Sequence, residues 1–189
     1  MFSIEDFKSQ VKSVLVPNKY ELVINTQPQA SFKKRGIPQI PINNSDPAKQ
    51  KSRKFRTSNV NLPGKALATK DIVHYGPARK TYYAMLYEDL TFNIILSENL
   101  EERTFFSDWM NTAYDYDSSR TNYYSDIIRP CTFHSYNAMG ERSYSVEFEE
   151  SYPVSIGELD YSYDANEYAT LPVTISYRRW REIPVVPRD

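Results

Sequence analysis

The residues that could ligate a metal are few and poorly spaced. Cys131 and His134 lie three positions apart in a stretch of strand character, and this offset places their side chains on opposite faces. His74 is the other histidine of the chain. A zinc site needs three or four converging ligands, so we expect these residues to be packed or hydrogen-bonded and predict neither a metal nor a cofactor.

An acidic stretch approximates a calcium-binding loop. Asp115, Asp117 and Ser119 have the spacing of the first ligands of such a loop, and Asp126 falls at its twelfth position. Arg120, however, stands where the loop needs a glycine. The pattern therefore favours a solvated acidic turn.

Other features of catalytic sites are also weak. The five glycines are scattered and form no phosphate-binding loop: Gly36, Gly64, Gly76, Gly140 and Gly157. The cluster at 177–181, Tyr-Arg-Arg-Trp-Arg, could bind phosphate, but it is more typical of a strand end with solvated arginines and an anchoring tryptophan. The scarcity of His, Cys and Gly predicts that the chain is not an enzyme.

Composition indicates a soluble, mainly β protein. The 189 residues suffice for one sizeable core, so we expect a single domain over 1–189. Mean hydropathy is −0.62, no apolar run approaches the roughly 18 residues of a membrane span, and the N-terminus lacks the order of a signal peptide. These features predict a cytoplasmic chain without membrane contact. One cysteine excludes an internal disulfide, and the sixteen tyrosines favour strands and protein interfaces.

Charge is divided unequally along the chain. Between Gln27 and Arg56 there are eight basic residues against one acid, and between Leu86 and Thr170 there are seventeen acids against four bases. An oppositely charged segment and body favour head-to-tail contact between copies as readily as contact with a foreign polyanion.

The N-terminal third contains a helix, a strand and a long insertion. A capping box at Ser3 and Asp6, followed by apolar residues at helical spacing, predicts a short helix that ends at Pro17. Residues 19–24 read as a strand. The segment 25–52 has four prolines and few large apolar residues, so it is predicted to be a long, irregular, basic insertion.

The remaining sequence predicts antiparallel strands and one helix. Strands are expected near 71–75, 80–87 and 90–96. Asn99 and Glu102 form an N-cap pair, and a broad apolar face follows, made of Leu100, Phe105, Phe106, Trp109, Met110 and Ala113. A long hairpin is expected from 126–136 and 142–152 around the turn 138–141.

The last strand has the clearest alternation in the chain. From Leu171 onward, Leu171, Val173, Ile175 and Tyr177 fall on one face. Pro172 cannot donate a hydrogen bond to a sheet ladder, so its strand is expected at an edge, at a bulge or at a subunit boundary. The whole pattern predicts a short N-terminal helix, a strand, a long basic loop and then a mainly β body interrupted by one helix.

Two stretches resemble the tail-tube proteins of contractile-tailed bacteriophages. They are YEDLTFNIILSENLEERTFFSDWM at 87–110 and YPVSIGELDYSYDANEYATLPVTISYRRW at 152–180. In that family a D-x-T strand runs into a helix ending in F-x-x-W, and a proline-containing turn, G-E-L, a D-x-N loop and a V-T-x-x-Y-x-x-W strand complete the chain. Residues 20–24 and 56–64 also stand where the family has its first strand and its L-P-x turn. The similarity covers most of the chain outside 25–52.

This resemblance implies a structural virion protein. The implied fold is a β-barrel or β-sandwich of antiparallel strands with one flanking helix. Such subunits form hexameric rings that stack into a hollow tube, related in fold to the inner tube of type VI secretion systems. Implied partners are other copies, the tail sheath, the baseplate and the tape-measure protein, with DNA passing through the lumen during ejection. The implied location is the virion tail, assembled in the host cytoplasm. A baseplate tube initiator or a tail terminator of the same fold is the alternative, because the basic insertion is longer than in the plain family pattern.

Three interpretations of the basic insertion stay open: a solvated loop, an assembly arm that reaches an acidic patch on a neighbouring ring or on the sheath, and a nucleic-acid-binding arm. Acids between Glu88 and Glu167 are predicted to line the lumen, because a duplex slides past a wall that repels its phosphates. The candidate assembly contacts are Lys33, Lys34, Arg35, Lys51, Arg53, Lys54, Arg56, Pro172, Tyr177 and Trp180.

Overall fold

The computed structural model describes residues 17–25, 52–73, 76–115, 119–163 and 168–184. The predicted N-terminal helix and nearly all of the basic insertion, residues 26–51, lie outside these ranges. No helix within them is long and apolar enough to cross a membrane.

Strands account for most of the described residues. In chain order they are β1 Tyr20–Asn25, β2 Ser52–Phe55, β3 Thr57–Asn61, β4 Lys65–Ile72, β5 Arg79–Tyr87, β6 Leu90–Ile95, β7 Tyr114–Asp115, β8 Arg120–Thr121, β9 Arg129–Tyr136, β10 Arg142–Ile156, β11 Thr170–Ser176 and β12 Arg179–Glu182. The helices are α1 Glu101–Ala113 and α2 Tyr124–Ile127. The prediction of a mainly β fold is confirmed.

The main sheet is antiparallel and folds into two layers. Its strand order is β2-β1-β9-β10-β11-β6-β3, and β12 also pairs with β10. The fifteen-residue strand β10 pairs with β9 and β12 in its first part and with β11 in its last part. Register shifts after Phe148 and after Pro153, together with a positive φ at Glu150, bend β10 between the layers.

The core lies between these layers, as strand alternation dictates. Leu171, Val173 and Ile175 are buried and pair across β11 and β6 with Ile94, Phe92 and Leu90. The predicted apolar face of the last strand is therefore confirmed. Each such buried side chain contributes about 1.5–3 kcal/mol relative to its exposed state.

Helix α1 covers the core through its aromatic side chains. Phe105, Phe106 and Trp109 are buried, and the Phe105 and Phe106 rings lie 5.4 and 5.3 Å from the Phe55 ring. The Trp109 indole N–H donates to the Ile127 carbonyl at 2.7 Å. This one hydrogen bond joins α1 to α2.

The start of α1 differs from the prediction. The N-cap is Leu100, which has φ 53° and makes no side-chain capping bond, so the predicted cap at Asn99 is wrong. The reason is that the Glu102 carboxylate turns back to Ser97 and accepts from its N–H at 3.0 Å and from its hydroxyl at 2.8 Å. Acids in the first turn still suit the positive end of the helix dipole.

Two strand boundaries were predicted wrongly. The strand expected near 71–75 begins at Lys65 and ends at Ile72, because its sequence, KALATKDI, alternates weakly and its position is set by pairing with β5. The strand expected from 126 begins at Arg129, since residues up to Ile127 form α2. Its partner β10 runs on to Ile156.

Candidate assembly surface

The hairpin formed by β4 and β5 is a long element that is exposed over nearly its whole length. These strands pair from Lys65 with Tyr87 to Ile72 with Arg79 and form a sheet of their own. Almost every side chain of the hairpin is exposed. A two-stranded hairpin without further packing is marginally stable in water, so this element is suited to packing against another surface.

Apolar side chains occupy both faces of the hairpin. Leu67 and Met85 pair on one face, and Leu86 lies on the other, because successive residues of a strand alternate. The exposed fractions are 55% for Leu67, 50% for Met85, 55% for Leu86, 73% for Tyr82 and 72% for Tyr83. Contiguous exposed apolar surface of this kind marks an interaction site.

The C-terminal aromatic residues hold the base of the hairpin. The Lys65 ammonium lies 3.9 Å from the centroid of the Trp180 ring, a cation–π contact. The Tyr177 hydroxyl donates to the Glu88 carbonyl at 2.6 Å, and its ring packs edge-on against Phe148. Burial raises the pKa of Tyr177, with Asp89 adding to the effect, so the phenol stays neutral. Both predicted contact residues, Tyr177 and Trp180, therefore make contacts within their own chain.

Pro172 lies in a strand that is paired on both sides. β11 stands between β10 and β6. Of the edge, the bulge and the subunit boundary that the proline predicted, the edge is therefore wrong, and the subunit boundary stays a prediction. The Pro172 carbonyl accepts from the Gly157 N–H at 2.7 Å. Because the N–H and C=O of a residue in an antiparallel strand point to the same neighbour, the missing donor of Pro172 faces the point just beyond Ile156, where β10 has ended. The missing donor therefore lies at the end of the β10–β11 ladder and not within it.

Two of the candidate basic residues form ion pairs within the chain. Arg53 forms an ion pair with Glu101 at 3.3 Å, and Lys54 forms one with Glu21 at 2.6 Å. Burial acts to raise the pKa of Glu21, but hydrogen bonds from Lys54 and Tyr136 outweigh it and lower that pKa. Arg56 is exposed, and its carbonyl accepts from the Ile95 N–H. The other candidate contacts of the insertion lie outside the described residues: Lys33, Lys34, Arg35 and Lys51.

The candidate zinc ligands point apart, as their spacing predicts. Cys131 is fully buried in the core, and burial raises the pKa of its thiol. His134 faces the other way, where its Nδ1 lies 2.8 Å from the Ser145 hydroxyl. Burial, reinforced by Arg142, lowers the pKa of His134. His74 lies outside the described residues.

The candidate calcium residues are distributed over separate elements. Asp115 pairs with Arg120 in the short β7–β8 ladder, whereas Asp126 is in α2. Asp117 lies outside the described residues. In the part of the chain that the structure describes, no group of three or more His, Cys, Asp or Glu side chains could hold a metal.

A groove of about 650 Å³ opens between β3 and the layer that contains β1 and β9. Tyr20, Val60, Phe133 and Tyr144 contribute to its lining. The described lining residues include no histidine, carboxylate, lysine or cysteine. The groove therefore lacks the converging titratable groups of a catalytic pocket.

Three acids of β10 are paired with arginines of the C-terminal segment. Glu147 pairs with Arg181 at 2.7 Å and Glu149 with Arg179 at 2.6 Å. By contrast, the outward positions of β6 include Thr91 and Asn93, which carry no charge. The assignment of acidic side chains to the wall of a lumen stays a prediction.

The fold and its exposed hairpin define a class: antiparallel β-sandwich proteins with an exposed two-stranded hairpin. Residues 15–183 match the family model described as phage tail tube protein, and the chain belongs to that family. It is accordingly a structural protein and not an enzyme, as the sequence predicted.

Solved structures with a similar fold come from contractile injection systems. A chain of the PVC sheath/tube terminator in its extended state matches with TM-score 0.65 and 12% identity, covering 92% of this chain and 99% of that one. A chain of the PVC sheath-tube complex gives 0.64 and 13%, covering 94% and 97%. A chain of the anti-feeding prophage baseplate gives 0.64 and 9%, covering 92% and 98%. No curated protein matches the chain in sequence.

Proposed function

We propose that this chain is the subunit of a tail tube, in which hexameric rings stack into a hollow conduit. Its place is the tail of the particle, inside the sheath and above the baseplate, and DNA passes through the conduit during ejection. The observation that carries the proposal is the projecting hairpin with apolar side chains on both faces, in a chain of the tail tube family.

The hairpin supports assembly with further copies of the same chain. Leu67 and Met85 on one face and Leu86 on the other leave apolar area exposed to water in an isolated subunit. Burying such area is favourable by about 25 cal/mol per Å². An element that is apolar on both faces is covered fully only when it lies between two surfaces, which a ring of repeated subunits supplies.

A tube terminator or a baseplate tube component is the second candidate. The similar chains come from structures described as a sheath/tube terminator, a sheath-tube complex and a baseplate, and their TM-scores differ by only 0.01. A terminator or initiator stops at one or two rings, whereas a tube subunit continues to stack, so the length of the polymer separates these roles.

The test replaces the facing pair on the hairpin. The double variant Leu67→Ser/Met85→Ser should keep the fold of the monomer, because both side chains are about half exposed, yet it should lose assembly. Sedimentation velocity is expected to show the wild type as rings and polymers and the variant as a monomer of 22.1 kDa.

The matched control is Met139→Ser, in the turn between β9 and β10, where the side chain is 87% exposed. It should assemble as the wild type does. A hairpin variant that polymerises at the wild-type concentration would contradict the proposal that the hairpin carries assembly.

A further inference from the structure

The β4–β5 hairpin and the loop 157–169 connect to opposite ends of the layer that contains β6 and β11. β6 begins at Leu90, directly after the hairpin, and ends at Ile95. Ile95 pairs with Thr170, the first residue of β11, and the loop connects β10 to that residue. At about 3.4 Å per residue, the six residues of β6 separate the two ends by about 17 Å. The hairpin side chains are exposed, so the hairpin does not fold back over the sandwich.

The distal half of the hairpin is basic. Lys70, Arg79 and Lys80 lie there with a single acid, Asp71, which is opposite Lys80 in the register. All four side chains are exposed. None of the four forms an ion pair within the described ranges. We call this group the basic tip.

The loop at the other end is acidic and rich in tyrosine. Its sequence, GELDYSYDANEYA, contains four acids and no base. Glu158 and Asp160 are exposed and have no ion-pair partner among the residues that the structure describes. Tyr161 and Tyr163 are also exposed, at 77% and 109%. We call the described part, 157–163, the acidic loop.

Four acids of the body are paired within the chain. Glu21, Glu147, Glu149 and Glu150 each pair with a lysine or arginine of their own chain, at 2.6 to 2.8 Å. The bases of the tip and the Glu158 and Asp160 carboxylates of the loop thus carry complementary charge at opposite ends of one subunit, and none of them forms an ion pair with another described residue.

We propose that the basic tip of one subunit contacts the acidic loop of a second copy in the next ring. This inference rests on the proposed function and names the contact between rings. Opposite ends with opposite charge give a head-to-tail contact, which repeats without closing and so builds a stack. The tyrosine rings of the loop add cation–π contacts with the Arg79 guanidinium and the lysine ammonium groups.

The experiment uses charge reversal in the full-length chain. The tip variant is Arg79→Glu/Lys80→Glu, the loop variant is Glu158→Lys/Asp160→Lys, and a combined variant carries all four changes. Each double variant should still form rings but should need about tenfold more protein, or higher, to stack them, because like charges then meet. The combined variant should stack as the wild type does. Ring and stack populations are measured by negative-stain imaging and sedimentation over a range of concentrations.

Two controls accompany these variants. The Lys19→Glu/Arg142→Glu variant reverses two exposed bases near the β9–β10 turn and should stack normally. Raising the salt concentration from 0.01 to 1 M shortens the screening length from about 30 to about 3 Å, so it should separate wild-type stacks into rings.

The outcomes separate the two proposals. Wild-type chains that form no rings would contradict the proposed function and this inference together. Wild-type rings that do not stack, double variants that stack at the wild-type concentration, or a combined variant that does not recover would each overturn this inference and leave the ring proposal standing.

Discussion

At the scale of single residues, the Glu102 carboxylate decides how α1 begins. It accepts from the N–H and the hydroxyl of Ser97, and the chain then turns through Leu100 at φ 53°. The spacing of Asn99 and Glu102 correctly indicates a helix start but assigns the wrong partner. The sequence spacing is the same whether the Glu102 carboxylate accepts a hydrogen bond from Asn99 or from Ser97. Both hydrogen bonds are local and similar in strength, so the sequence alone does not choose between them.

This arrangement predicts how stability depends on pH. Burial acts to raise the pKa of Glu102, but the two hydrogen bonds from Ser97 outweigh it, so the pKa lies below its usual 4.5. A lowered pKa contributes stability that is present above 4.5 and is lost as pH falls through the folded-state value. Glu102→Gln should therefore lower the free energy of unfolding by about 1 kcal/mol at pH 7, and the difference from the wild type should shrink below pH 4.5.

Urea unfolding at pH 7, 5, 4 and 3 measures this difference. Glu98→Gln is the control, since Glu98 is exposed and accepts no hydrogen bond from the described residues. A difference between Glu102→Gln and the wild type that is constant with pH would show that the carboxylate charge does not matter.

At the scale of elements, the junction between β10 and β11 depends on one glycine. Gly157 follows the last residue of β10 and donates to the Pro172 carbonyl. A Cβ at this position would overlap the Pro172 ring. Pro172, which predicted an interruption of the sheet, thus lies beside a glycine. The β10–β11 ladder ends at this pair, whereas the β11–β6 ladder continues past Pro172.

Gly157→Ala should destabilise the fold by about 1–3 kcal/mol, because either the proline ring or the strand end must shift. Gly64→Ala is the matched control, since a Cβ there meets only the Glu88 carboxylate, at an ordinary 3.5 Å, and should change stability by no more than about 0.5 kcal/mol. Thermal unfolding of both variants beside the wild type checks this. Equal melting temperatures for Gly157→Ala and Gly64→Ala would contradict the close-packing argument.

The elements also show which parts of the fold the sequence could predict. The strands β6 and β11 alternate strictly because one face is buried, and both were located from that pattern. The hairpin strand β4 was misplaced because neither of its faces packs against the sandwich, so burial imposes no alternation. The contact between Tyr177 and Glu88 joins residues 89 positions apart, and no local pattern signals such a contact. The candidate assembly surface was therefore missed, while most of the core was found.

At the scale of the whole molecule, folding pairs some of the basic and acidic residues that are separated along the sequence. Arg53 and Lys54 of the basic segment pair with Glu101 and Glu21, and acids of the body pair with the C-terminal arginines. What folding leaves unpaired, among the described residues, includes the basic tip and the acidic loop at opposite ends. The sequence suggested head-to-tail contact from bulk charge, and we propose that these two groups make that contact.

Imaging the purified, full-length wild-type protein by electron microscopy tests the central claim most directly. We expect end-on views of closed rings of six 22.1-kDa subunits, about 133 kDa in all, and side views of rings stacked into hollow tubes. A chain that stays monomeric at every concentration, both alone and with a sheath or baseplate partner, would contradict the account.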